Sequence, residues 1–133
     1  MSYSKIQGVL DAQLQTVVGI PFVQLENTRY EPKTGVPFVR PTFMPVEAMR
    51  LSNGYDLAQG IYTVDVFYPA DKGTATASAM ADAIKDAFPR ALVLPGDGIE
   101  VHITKSYRDM AQTFQQFYQI PVIVQWNCQL PKG

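Results

Sequence analysis

Between Ser4 and Val18 the apolar residues recur at steps of three and four, as Ile6, Val9, Leu10, Leu14, Val17 and Val18. That spacing predicts an amphipathic helix with one face to bury, capped by Ser4 and ending near Gly19 and Pro21. Phe22 to Leu25 then reads as a short strand, and Asn27 to Gly35 as an exposed polar loop rich in turn formers. From Val36 to Leu51 the chain is extended, yet it carries Pro37, Pro41 and Pro45. Backbone donors alternate sides along a strand, so all three missing N–H groups face one lateral edge. If the segment is a single strand, it lies at the border of a sheet. An irregular arm broken by prolines is the alternative, and either form is long enough to reach a neighbouring subunit.

Ser52-Asn53-Gly54 supplies turn residues, which predicts that the arm reverses there or a little later and returns as Ile61 to Tyr68, a β-hairpin with a long tip. On the returning strand Tyr62, Val64, Val66 and Tyr68 share the face better suited to a core, with Ile61, Thr63, Asp65 and Phe67 opposite. After Asp71-Lys72-Gly73, where Asp71 or Thr74 can cap, a second helix aligns Ala77, Met80, Ala81, Ile84, Ala87 and Phe88 until Pro89 stops it. Its small residues let it lie close to a sheet. Ile99, Val101 and Ile103 alternate with Glu100, His102 and Thr104, and the last strand alternates Tyr118, Ile120, Val122, Val124, Trp126 and Cys128 with polar or mixed partners. The polar stretch Lys105 to Thr113 reads as a hairpin tip or a short extra helical turn, and Pro121 as an edge or bulge position.

The order α-β-β-β-α-β-β therefore predicts an α+β fold, a mostly antiparallel sheet with two helices packed on one face. At 133 residues, with no repeat, low-complexity segment or linker, the chain is expected to be one domain spanning 1–133.

Composition changes this picture little. The charged fraction is 17%, below the usual quarter or so. Gln112, Gln115, Gln116, Gln119, Gln125 and Gln129 stand where Lys or Glu would be common on a free surface. An uncharged solvated face is the simpler reading and a covered one the alternative. The net charge is −1 and Lys and Arg are scattered along the chain, which argues against a nucleic-acid footprint. The lone Cys128 has no internal disulfide partner and the first residues lack a signal peptide's apolar core, so a reducing cytoplasm is expected. No stretch approaches the roughly eighteen apolar residues of a membrane span, so no membrane partner is expected.

Candidate chemistry is sparse. His102 is the single histidine, set in mid-strand with no nucleophile elbow to accompany it. Cys128 and His102 cannot by themselves fill a tetrahedral zinc site, and Cys128 on an apolar strand face reads as an inert buried thiol. Gly96-Asp97-Gly98 precedes a strand, without the helix N-terminus that lets a glycine loop hold phosphate, so it reads as a turn. Asp97 and Glu100 read as surface carboxylates. No catalytic residue, cofactor or metal site is expected, and the chain does not read as an enzyme.

The strand Tyr62 to Pro69 with its exit, the Gly73 turn, the helix bearing Met80, Ala81, Ile84 and Phe88, and the two alternating C-terminal strands together resemble the small tail terminator proteins of long-tailed bacteriophages. The likeness runs from Lys5 to Cys128. It implies a homohexameric ring that caps the head-proximal end of the tail tube, stops polymerisation of the major tail-tube protein and offers its other side to a neck or head-completion protein. DNA would be only a passing cargo. Such a protein is assembled in the bacterial host cytoplasm and resides in the virion. A head-tail connector or minor tail protein is the alternative, and a small hydrolase or ligand-binding domain, which would need a pocket of converging polar groups, the more distant one. Ring and tube interfaces need Arg and Tyr anchors at loop tips. The resemblance thus implies candidate anchors at Arg29 and Tyr30 in the first loop, Arg50 and Tyr55 around the hairpin tip, and Tyr107 and Arg108 in the last hairpin.

Overall fold

The computed structural model describes residues 3–19, 22–23, 36–51, 54–70, 75–96, 98–114 and 117–131. In chain order these form α1 (Tyr3–Leu14), β1 (Phe22–Val23), β2 (Phe38–Arg50), β3 (Tyr55–Pro69), α2 (Ala75–Ala87), β4 (Val93–Gly96), β5 (Ile99–Arg108), β6 (Gln112–Phe114) and β7 (Phe117–Pro131). One seven-stranded sheet runs β1-β2-β3-β7-β5-β4, with β6 also paired to β7. Every pairing is antiparallel except the two-residue contact of β1 with β2. The expected α+β order is present. The short β4 and β6 are additions to it, being too brief to show an alternation of their own.

The face toward the helices holds the core. Tyr62, Val64 and Val66 of β3, Val101 and Ile103 of β5, and Ile120, Val122, Val124, Trp126 and Cys128 of β7 are all buried there. Ile6, Leu10 and Leu14 of α1 and Ala77, Met80, Ala81 and Ile84 of α2 close over them, with Phe88 just beyond. The spacing of three and four in each helix is thus the spacing of its buried stripe. Polar contacts also fasten α1, among them the Tyr62 hydroxyl donating to Asp11 and Gln13 Nε2 donating to the Ala87 carbonyl at 2.7 Å.

Two expectations for α1 need correction. The helix begins at Tyr3, so Ser4 lies inside its first turn instead of capping it. Val17 still reaches the core, but Val18 is 92% exposed because the helix has ended at Leu14 and the stripe no longer applies. The capping residues expected for α2, Asp71 and Thr74, lie outside the described residues, as does the loop from Asn27 to Gly35.

β2 is one strand despite its prolines. Pro41 pairs with Val64 and Pro45 with Gly60, at the same parity, so both missing donors point away from β3. Among the described residues only β1 lies on that side, at Phe38 and Val39, so from Arg40 onward β2 is the expected border. The hairpin tip is short and not long. Leu51 N–H donates to the Tyr55 carbonyl at 2.8 Å and Gly54 takes the positive φ of 84° that the reversal requires. β3 begins at once at Tyr55, because Tyr55 to Gly60 find ladder partners on β7 and, from Asp56, on β2.

Pro121 is not at an edge, since β7 lies between β3 and β5. Its missing N–H faces the place where β5 has ended at Arg108 and β6 has not begun, and its carbonyl accepts Asp109 N–H at 2.9 Å. The stretch from Lys105 contains no helical turn, because β5 continues to Arg108 and β6 follows at Gln112.

Candidate interaction surface

Because side chains alternate along a strand, the residues between the core positions share the other face of the sheet, where neither helix packs. Register lines them up in rows: His102, Asn127, Gln59 and Val46; Lys105, Gln125, Ile61 and Met44; Tyr107, Ile123, Thr63 and Thr42. Lys105 and His102 are the only Lys, Arg, His, Asp or Glu in those three rows. Met44 is 54% exposed, Val46 42%, Met49 53% and Tyr107 36%. This open face is therefore apolar and amide-rich with few charges, the composition that marks the centre of protein interfaces.

A cavity of about 190 Å³ at its middle is lined by Val46, Gln59, Ile61, Thr104, Gln125 and Asn127 among others. That is below the roughly 300 Å³ at which small-molecule pockets begin, and its side chains offer amides and a hydroxyl but no titratable group.

One end of the open face is closed by an aromatic cluster. Phe38 stacks on Phe67 at 4.5 Å between centroids and Phe117 meets Phe38 edge-on at 5.3 Å. All three are buried, so the strand face assigned away from the core also holds a small core of its own. Arg40 lies over the Phe67 ring at 4.9 Å and pairs across the ladder with Asp65. Asp65 accepts from Gln119 Nε2 at 3.0 Å, and Gln119 accepts from Gln112 Nε2 at 3.4 Å. Burial pushes the Asp65 carboxyl above its ordinary pKa, against the opposing pull of Gln119 and Arg40.

The candidate anchors fall in different places. Arg29 and Tyr30 lie outside the described residues. Arg50 ends β2 and Tyr55 starts β3, so the short turn brings both, exposed, to one tip. Tyr107 and Arg108 are not at a hairpin tip: both sit within β5, paired with Ile123 and Val122. As neighbours on a strand they face opposite ways. Tyr107 joins the open face, while Arg108 Nη1 turns to the helix side and bonds Asp82 of α2 at 3.1 Å. Tyr55 and Tyr107 are eight positions apart along their shared partner β7, roughly 27 Å at strand rise.

Cys128 and His102 project from opposite faces, the thiol buried and the imidazole exposed, so they form no dyad. Burial raises the Cys128 thiol pKa, which keeps it protonated and unreactive. Among the described residues no three His, Cys, Asp or Glu side chains gather as a metal site. No described helix is long and apolar enough to cross a membrane.

Sequence reading missed one feature. The cations that looked scattered are partly gathered by the fold: Lys85, Arg90 and Lys105, with Asp86 as the one acid among them, border a single cavity of about 330 Å³ where α2 ends beside β5, and Arg108 lies further along the same strand. A helix end, a turn and a strand contribute one or two cations each, a grouping with no linear spacing to betray it.

A family model described as phage tail terminator protein matches residues 5–126. No curated protein sequence matches the chain. Among solved structures, one is 19% identical, covering 96% of this chain and 98% of its own, with a TM-score of 0.72. Another, from the virion of a native gene transfer agent particle, is 18% identical over 95% of this chain and 96% of its own, with a TM-score of 0.66. At those identities the likeness is one of fold.

Proposed function

The chain belongs to the phage tail terminator family, a structural family of the phage tail, and from that premise we propose that it caps the head-proximal end of the tail tube as a homohexameric ring. The observation that carries this reading is the family match over residues 5–126. The low-charge open face of the sheet supports it, as a surface suited to burial against protein. So does the fold shared with a chain of the virion of a native gene transfer agent particle.

The mechanism is steric and energetic. A ring of copies matches the exposed end of the tube, buries the edge that the next tube ring would use and presents a different surface to a neck or head-completion protein. No bond is made or broken. DNA passes through the ring as cargo. The protein assembles in the host cytoplasm and stays in the particle at the head-proximal end of the tail.

Electron microscopy of particles made when the gene carries an early stop codon tests this. Headless tubes longer than normal support a length-ending cap. Tails of normal length lying beside filled heads make it a joining protein instead, and ordinary infectious particles overturn both structural roles.

A further inference from the structure

The two ends of the sheet differ in what they leave unpaired. On the β2 side Pro41 and Pro45 remove outward donors, which blunts that border against strand addition. β4 carries Pro95 and covers β5 only at Ile99 to His102. Ile103 exchanges backbone bonds with the Ala91–Leu92 turn, Ala91 N–H to its carbonyl and its own N–H to Leu92, each at 2.8 Å. Past that point no described strand pairs with the outer side of β5. Asp109 N–H donates inward to Pro121, and bonding groups alternate along a strand, so the N–H and C=O of Ser106 and Arg108 point outward. No proline interrupts this stretch.

The same edge is flanked by cations. Lys85, Arg90 and Lys105 line the 330 Å³ cavity beside it, with Asp86 as the one acid and the Ser106 hydroxyl donating to the Lys85 carbonyl at 3.2 Å. Among the described residues neither Lys85 nor Arg90 has an ion-pair partner, and Lys105 Nζ rests 5.0 Å from the Tyr107 ring centroid. Arg108, by contrast, is matched by Asp82. An unpaired strand edge with a local excess of positive charge beside it suits an extended segment that brings carboxylates.

We propose that the outer edge of β5 from Lys105 to Arg108 is a strand-addition site for an extended acidic segment of a partner protein, held by main-chain bonds to Ser106 and Arg108 and by Lys85, Arg90 and Lys105. A phosphate backbone would use the cations but has no strand to add, so the outward N–H and C=O row favours a peptide. The site is independent of tube capping, since it rests on the isolated chain's edge and charges.

The test uses the purified chain and fluorescence anisotropy with three probes: a short peptide alternating glutamate and valine, its lysine-for-glutamate counterpart, and a short single-stranded DNA. The acidic peptide is expected to bind at least about tenfold tighter than the basic one, a difference of about 1.4 kcal/mol. The double charge reversal Arg90→Glu with Lys105→Glu should abolish that preference. Ser106→Pro removes an outward donor that the β7 ladder does not use, and should weaken the acidic peptide about tenfold as well. Should Ser106→Pro fail to fold by circular dichroism, hydrogen exchange on the unaltered chain replaces it: slower exchange of the Ser106 and Arg108 amides with the acidic peptide supports the site, and unchanged exchange overturns it. No preference between the two peptides, or DNA binding that the charge reversal abolishes with no peptide binding, also overturns it.

Discussion

Trp126 packs directly against Gly60: a β-carbon built on Gly60 would lie 2.7 Å from Cζ2 of the indole and 2.9 Å from Pro45 Cα. The indole is also stacked on Phe43, with 5.3 Å between centroids, so it has little room to retreat. Gly60→Ala should therefore destabilise the fold by about 1–3 kcal/mol, the usual range for overpacking. A lowered urea midpoint together with a changed near-ultraviolet signal from Trp126, the single tryptophan, checks this; an unchanged midpoint would contradict the close approach.

The bond from the Tyr62 hydroxyl to Asp11 joins the middle of β3 to α1. Tyr62→Phe removes a donor to a charged acceptor and is expected to cost about 1.5–3 kcal/mol. In a double-mutant cycle with Asp11→Ala the two losses should fall short of additive, because each removes the same contact. Additive losses would show that the two side chains stabilise the fold separately.

Burial raises the Asp65 pKa above its ordinary 3.8. The unfolded chain loses its proton near 3.8, so just above that pH the folded protein retains a proton that the unfolded chain has given up. The stability contributed by the neutral carboxyl is full below 3.8 and is lost as pH rises through the folded value. Asp65→Asn has no such proton to lose and keeps the shape of the group. The variant should therefore gain on the unaltered protein between pH 3.8 and neutrality, read as the difference between their urea midpoints. A variant that loses ground over that range would mean that attraction to Arg40 outweighs burial.

Arg50 and Tyr55 stand together at the β2–β3 tip, exposed and outside both buried clusters. Replacing either with Ala should leave stability within about 0.5 kcal/mol. If the tip anchors the ring or the tube, each replacement impairs particle assembly by at least about tenfold, as loss of 2 kcal/mol or more at a desolvated contact would. Normal assembly by both variants removes them as anchors.

Much of this protein was legible in the linear order of its residues, and the reason is that periodicity is local. Steps of three and four marked both helices, and alternation marked β3, β5 and β7, because each pattern arises from the geometry of one element burying one face. The prolines of β2 were equally readable, since a missing donor has the same direction wherever it sits along a strand. The resemblance to the tail terminators rested on that same succession of elements, and the family model over residues 5–126 bears it out.

What only the tertiary structure decided depends on which strands are neighbours. Pro121 reads as an edge or bulge position, yet β7 lies inside the sheet with unbroken register to β3, because β5 stops and β6 starts where the missing donor points. Tyr55 to Gly60 has no strong alternation, yet becomes strand because β2 and β7 offer partners. Tyr107 and Arg108 look like one tip, but extending β5 through them sends one to the open face and the other to α2. The cations beside the β5 edge meet because a helix end, a turn and a strand converge there. Hydrophobic period sets which way each side chain points within its own element, whereas pairing and proximity are set by long-range contacts that no local spacing encodes.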